Sequence, residues 1–409
     1  MIYPANFEEK IGFDRIREQV TALCSTPSAK AKLAEEGFST SADEIERRLS
    51  LMNEMRSLLM LERDFPDGDY PDPAPLVAKI RVEGSYLLAA EADQLRKALV
   101  TVGAIAEFIL GRGGARYPRL WELSRRVTLF PEIVRAIDVI LDDRGEVKDS
   151  ASPELQQVRR AIREREGQAA KRLQQVLQRA KQAGIVDADA VLSVRDGRPV
   201  IPVAAANKRK LQGFIHDESA TGRTFYVEPV EVVEINNELK ELEYAERREV
   251  VKVLSAFTES IRPDAEAIAD AGDYLSSVDM IRAKARWALA NDAGKPILST
   301  DDRLELRTAR HPLLQQTLRA QGREVVPLDL ALDRRKHILV ISGPNAGGKS
   351  VCLKTTGLMQ YLFQCGYPVP ASEVSELPVF RSIFIDIGDE QSIDDDLSTY
   401  SSHLRNMKN

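Results

Sequence analysis

One stretch limits the folds open to this chain more than any other: Gly343-Pro344-Asn345-Ala346-Gly347-Gly348-Lys349-Ser350. Two glycines flank four residues and are followed by Lys and Ser, the spacing of a phosphate loop. Before it, after His337, the apolar run Ile338, Leu339, Val340 and Ile341 predicts a short buried strand. After it, Val351, Leu353, Leu358, Met359 and Leu362 fall at helix-compatible spacing. The order suits anion binding. Glycine lets the backbone turn and bring its N–H groups against phosphate oxygens. The helix that follows points the positive end of its dipole at the same anion. On this reading Gly343 to Ser350 cradle ATP, Lys349 reaches the β- and γ-phosphates, and the Ser350 hydroxyl holds Mg²⁺. The alternative is a plain glycine turn; the apolar run before and the helix after favour the phosphate loop.

Composition narrows the rest. The 409 residues give room for several domains with substantial cores. No apolar run approaches membrane-spanning length, so no membrane partner is expected. The start, Met1 to Ile16, lacks a basic segment leading into an apolar core, so a cytoplasmic protein is expected. Cys24, Cys352 and Cys365 have no metal-ligand spacing and read as reduced thiols. A net charge of -6 argues against a uniformly basic nucleic-acid binder but leaves local basic patches open.

Residues 1–150 read as a helical scaffold domain. Ile45, Leu49, Met52, Met55, Leu58 and Leu59 recur at spacings of three and four. Pro66 to Pro73 is a loop, and a second helical pattern runs from Ala89 to Leu110 until Gly111 to Gly114 break it. No catalytic constellation is visible there.

The middle of the chain predicts an arm. Over 151–187, Ser152 suits an N-cap and Pro153 the first helical position. Leu155, Val158, Ile162, Ala169, Leu173, Val176 and Ala180 then make a narrow, heptad-like apolar stripe on a highly charged helix, which needs a partner helix of similar length. Residues 229–295 supply it, with Val233, Leu239, Leu242, Val250, Leu254 and Phe257. Between the helices, residues 188–228 read as a small sheet, with strands around Val191–Arg195, Pro199–Val203, Gly213–His216 and Thr224–Val227. This tip is locally basic: Arg195, Arg198, Lys208, Arg209, Lys210 and Arg223. Such groups attract nucleic-acid phosphates without reading sequence, although a solvated face carries the same residues. The outgoing helix adds Arg159, Arg160, Arg163, Arg165, Lys171, Arg172, Arg179 and Lys181, which tilts the reading toward phosphate. His216 and Asp217 read as a hydrogen-bonded structural pair, since no nucleophile or metal set accompanies them.

Residues 296–409 read as the beginning of an α/β nucleotide-binding domain, with strands at Leu304–Leu306, Val325–Leu330 and Ile383–Gly388. The fold class read from the sequence is therefore multidomain and mainly α. A helical scaffold carries long lever helices with a small β clamp at their tip, followed by an incomplete α/β phosphate-loop ATPase domain of the ABC type.

Three motifs carry a resemblance. Gly-Pro-Asn-Ala-Gly-Gly-Lys-Ser at 343–350, Ala-Arg-His-Pro at 309–312 and Ile-Gly-Asp-Glu-Gln-Ser-Ile-Asp-Asp-Asp-Leu-Ser-Thr-Tyr at 387–400 resemble the MutS ATPase domain. Arg195 to Val203 and Gly213 to Gly222 are similar to the second bacterial branch of that family, associated with recombination control rather than mismatch correction. The resemblance implies a homodimeric DNA-binding ATPase clamp acting on branched DNA, with ATP and Mg²⁺ as cofactors. It implies a trans role for Ser398 at the partner's γ-phosphate, and places Val325 and Val326 near the adenine. The scaffold begins within the first residues, so no mismatch-reading domain is expected. The sequence stops after Ser401-Ser402-His403-Leu404-Arg405, before the family's Walker B Asp-Glu, dimerisation helices and nuclease-like domain. A fragment with little hydrolysis of its own is the expectation. Asp386, Asp389, Glu390, Asp394, Asp395 and Asp396 read as a solvated acidic loop rather than a substitute for that acid. The same branch also resembles factors acting on stalled or collided ribosomes, so ribosomal RNA is the rival partner, and nucleoid or ribosome association the corresponding location.

Overall fold

The computed structural model describes residues 1–195, 197–344 and 348–387. Helices dominate, and side chains cap several of them as local chemistry dictates. The Thr26 hydroxyl accepts from Ala29 N at 3.0 Å, with Pro27 at the first helical position; Ser41 accepts from Glu44 N at 3.4 Å; Ser152 accepts from Leu155 N at 3.0 Å ahead of Pro153. In chain order the elements are β1 (Ile2–Tyr3), α1 (Phe7–Ile11), α2 (Phe13–Leu23), α3 (Pro27–Glu35), α4 (Ala42–Leu61), α5 (Ala74–Ile80), α6 (Ala89–Gly111), α7 (Pro118–Ser124) and α8 (Pro131–Ile140). Then come α9 (Pro153–Gln182), β2 (Ser193–Arg195), β3 (Arg198–Ala204), β4 (Gly213–Glu218), β5 (Thr224–Pro229), α10 (Val230–Ile261) and α11 (Ala265–Ala290). They are followed by β6 (Ile297–Leu298), β7 (Leu304–Ala309), α12 (Pro312–Ala320), β8 (Leu328–Leu332), α13 (Lys349–Gln364), β9 (Glu376–Leu377) and β10 (Ile383–Phe384).

The chain divides into two compact units that cut across its linear order. The first holds Met1–Val77, Lys97–Phe130 and Glu266–Asn409; the second holds Ala78–Arg96 and Pro131–Ala265. Within the first unit, one core draws on residues from both ends of the chain. Phe7, Ile11, Phe13 and Ile16 pack in one cluster with Trp287, Leu358, Leu362, Phe363 and Tyr367. The reason is in α13. Its second half, Leu358 to Phe363, is buried throughout and needs cover, which the first two helices give. Rings lock the contact: Phe13 lies 4.9 Å from Tyr361 and 5.1 Å from Tyr367. Each such ring contributes on the order of 2–3 kcal/mol by burial. A second cluster joins Met55 and Leu58 of α4, Val102, Ile105 and Ile109 of α6, and Leu275 and Val278 of α11.

Charge is buried here too, and paired. Arg282 and Asp279 are fully buried and meet at 2.8 Å. The other Asp279 oxygen accepts from Ser25 N and Thr26 N, both at 2.8 Å, and from the Thr26 hydroxyl at 3.1 Å. The Arg282 guanidinium lies 3.7 Å from the Tyr70 ring centre.

A four-stranded sheet of order β6-β9-β7-β8 completes the first unit, beside the parallel pair β1-β10. Two expectations change at this point. Ile338 to Ile341 do not form a buried strand: no strand is assigned there, and Ile338 and Val340 are 76% and 84% exposed. A central strand needs neighbours on both edges, and no described strand pairs with this run. Of Ile383 to Ile387, only Ile383 and Phe384 are in a strand, parallel to Ile2 and Tyr3, and the strand expected from Val325 starts at Leu328.

In the second unit α9 and α10 lie antiparallel, tied by Arg159–Glu246 at 2.7 Å and Arg165–Glu238 at 2.8 Å. Between them in sequence is an antiparallel sheet of order β2-β3-β5-β4. One face of it, Ile201, Val203 and Val227, packs on Leu173, Val176, Leu177 and Ala180 of α9 and Val232 of α10. Thus the narrow stripe of α9 is buried at its far end by the sheet. Gly213 is required at the start of β4: a Cβ there would lie 2.2 Å from the Glu228 carbonyl oxygen.

Candidate nucleotide and nucleic-acid sites

The glycine-rich loop meets α13 as its sequence predicts at the described positions. Gly348 is the N-cap, with φ of 80°, a left-handed conformation that glycine adopts at no steric cost. Lys349 opens the helix, and Ser350 follows with an exposed hydroxyl in the first turn. Among the described residues no side chain caps this N-terminus, and its first N–H groups and positive dipole end suit an anion. The Lys349 ammonium turns back onto its own loop, donating to Gly343 O at 2.6 Å and Pro344 O at 2.9 Å. That leaves one of its three N–H donors for another acceptor. Asn345, Ala346, Gly347 and Ser398 lie outside the described residues, as do the acids from Asp389 onward.

Val325 and Val326 sit in the segment before β8 that is in neither helix nor strand, with Val326 89% exposed. The Ala-Arg-His-Pro motif turns the chain from β7 into α12: Ala309 ends the strand, His311 is the N-cap and Pro312 the first helical residue. Just before it, Thr308 has a φ of 49°, unusual for a β-branched residue. Its N–H donates to Asp329 at 2.7 Å, where the β7–β8 register slips. His311 is 9% exposed, and burial pushes its imidazole down to about 4, so it is neutral at pH 7.

The basic residues of the small sheet separate into two groups. Arg195 donates to Asp217 at 2.9 Å and lies 3.8 Å from the Tyr226 ring centre. Arg198 makes two bonds of 2.9 Å to Glu228 and one of 3.0 Å to Asn237. Both are structural partners within the unit. Lys208 lies over Phe225 at 4.5 Å with its charge exposed. Arg209, Lys210 and Arg223 are exposed and make no side-chain hydrogen bond or ion pair among the described residues. The bond from Ala205 N to Arg223 O, 2.9 Å, brings the start of the β3–β4 connection beside the β4–β5 turn.

The α9 cations divide in the same way. Arg159, Arg160, Arg163 and Arg165 are paired with Glu246, Glu164, Asp149 and Glu238. Lys181 donates to Ala188 O at 2.8 Å. Lys171, Arg172 and Arg179 are exposed without such partners among the described residues. Gly167 to Gln182 contains no Asp or Glu at all.

The expected His216–Asp217 pair does not form. His216 Nε2 meets Glu228 at 2.5 Å, and Asp217 pairs with Arg195. Glu228, 1% exposed, also accepts from Asn236 at 2.6 Å, so one buried carboxylate gathers Arg198, His216 and Asn236. Sequence reading missed it, because a bulge between Ile215 and Asp217 shifts β4 against β5 and alternation does not reveal bulges.

Cys24 and Cys365 are buried free thiols, each pushed up to about 12 by burial, too high for a nucleophile at neutral pH. No metal-holding group of His, Cys, Asp and Glu occurs among the described residues, and no helix among them is long and apolar enough to cross a membrane.

Fold and loop together define a mainly helical chain with a phosphate-loop motif at the head of a buried helix. Residues 339–409 match the model of MutS domain V. Endonuclease MutS2 of Bacillus velezensis is 35% identical over 399 residues, covering 97% of this chain and 50% of that protein. Endonuclease MutS2 of Thermomicrobium roseum is 36% identical over 408 residues, with 97% and 50% covered, and the putative endonuclease MutS2 of Bacillus subtilis is 34% identical over 397 residues with the same coverage. The chain belongs to the MutS family. It spans about half the length of the curated relatives it matches.

Proposed function

We propose that this chain supplies the nucleotide-gripping and DNA-gripping parts of a MutS-type ATPase clamp acting on branched, recombination-intermediate DNA. The observation that carries the reading is Gly348 in a left-handed conformation at the start of α13, with Lys349 and Ser350 as its first residues. Gly343 to Ser350 would hold the phosphates of ATP, Lys349 supplying charge and Ser350 a ligand to Mg²⁺, with Val325 and Val326 beside the base. Bound Mg²⁺ would neutralise phosphate charge during transfer. What the chain itself contributes is positioning: an open helix N-terminus and an ammonium already held at the loop mouth.

In this reading residues 151–187 and 229–295 act as levers and 188–228 as a clamp, in a homodimer whose Ser398 completes the partner's nucleotide site. Lys208, Arg209, Lys210 and Arg223, with Lys171, Arg172 and Arg179, meet backbone phosphates. Arg195 and Arg198 support the sheet instead. The protein works in the bacterial cytoplasm, on the nucleoid.

The test is equilibrium binding of the chain to a four-way junction and to linear duplex of equal length. Junction DNA is expected to bind more tightly. Substituting Arg209, Lys210 and Arg223 together by Gln should weaken both and make the salt dependence shallower, by about 0.9 in slope for each phosphate no longer neutralised. Equal binding of both DNAs, unchanged in the triple variant, contradicts the reading.

A further inference from the structure

We propose that the chain carries a second anion site, separate from the phosphate loop, that takes a small phosphate monoester between the α1–α2 turn, the start of α12 and the first turns of α13. A cavity of about 320 Å³ lies there, and its wall includes Lys10, Gly12, Arg15, His311 and Lys354. Among the described residues of its wall, Glu9 is the one acid. Arg15 and Lys354 make no ion pair or hydrogen bond among the described residues, while Lys10 donates to Ile387 O at 3.0 Å.

Helix termini add to this charge. The nine-residue α12 begins at the cavity with Leu313 and Leu314 in its wall, and neither it nor the eleven-residue α2, which starts after Gly12, has a side-chain cap among the described residues. Their first N–H groups favour an anion.

His311 is the independent sign of a ligand. It is more than nine-tenths buried, and its Nδ1 has no hydrogen-bond partner among the described residues. The imidazole bonds to the Ile11 backbone and is kept neutral by burial, so Nδ1 is a bare acceptor. A buried polar atom left without a partner is costly. A monoprotonated phosphate monoester answers both needs: negative oxygens for Arg15 and Lys354, and one P–O–H donor for Nδ1. Sulfate, a carboxylate or a nucleic-acid phosphodiester offers charge without that donor. Ile11, Leu313, Leu314 and Val351 give an apolar floor for the ester group.

The test is calorimetric titration of the full chain with methyl phosphate and with sulfate at pH 7. Both titrations use Lys349→Ala protein, so that the phosphate loop does not contribute. Saturable binding of methyl phosphate is expected, with sulfate at least about tenfold weaker. Arg15→Gln together with Lys354→Gln should remove binding, while Lys30→Gln, an exposed cation outside the cavity, leaves it unchanged. His311→Gln should reduce the preference for methyl phosphate over sulfate. A thermal melt of each variant reports folding, and the two surface variants keep the test decisive if His311→Gln is unstable. Absence of saturable binding overturns the proposal, as does binding that survives the Arg15 and Lys354 double substitution.

Discussion

His311 ties stability to pH. Its pKa falls from an ordinary value near 6.5 in the unfolded chain to about 4 in the folded one. The unfolded state therefore binds more protons between those values, and stability drops as pH falls from 6.5 toward 4, by up to about 3 kcal/mol for this group. Melting of the wild-type chain should lose more stability over that range than melting of His311→Gln, even if the variant is less stable at pH 7. Parallel pH curves would show that this imidazole is not buried as described. Asp279 makes a second prediction at this scale. It is fully buried and satisfies Arg282, Ser25 and Thr26 together. Asp279→Ala removes the buried partner of the Arg282 guanidinium, leaves it only the more distant Asp67 carboxylate at 3.3 Å, and strips the Ser25 and Thr26 N–H groups of their acceptor, so it should cost about 3 kcal/mol in denaturant unfolding. A loss under about 1 kcal/mol would be the value of an exposed pair instead.

Single elements show where sequence logic works and where it stops. Ser152, Pro153 and the stripe of α9 announce that helix, and its partner α10 follows from the need to cover the stripe. Strands β3 and β5 are legible from β-prone runs between turn residues. Ion pairing is not: Arg159 and Arg198 look like Arg172 and Arg209 along the chain, yet the first two are held by Glu246 and Glu228 and the others are exposed without partners among the described residues. Register decides that, and a bulge in β4 changes the register. Gly213→Ala probes the same strand. The added Cβ meets the Glu228 carbonyl at 2.2 Å, so β4 must detach from β5. Hydrogen exchange should speed up in β4 and β5 while α4 and α11 keep their protection; unchanged exchange in β4 would mean the close approach is absent.

At the scale of the whole molecule, periodicity names the helices but not the company they keep. The first fifty residues and α13 lie about three hundred residues apart in sequence and share one core through Phe13, Tyr361 and Tyr367. No local pattern encodes such a pairing. Apolar character alone also misleads: Ile338 to Val340 look like a buried strand, but a strand exists only with neighbours to pair, and none of the described ones adjoins it. The glycine-rich motif is legible because its pattern is local: Gly348 turns the backbone and α13 follows it. The central claim is that this turn grips nucleotide. Its most direct test is equilibrium binding of ATP with Mg²⁺ to the chain and to Lys349→Ala. Saturable, Mg²⁺-dependent binding that weakens at least about tenfold in the variant is the predicted result. Equal affinity in both proteins would contradict it.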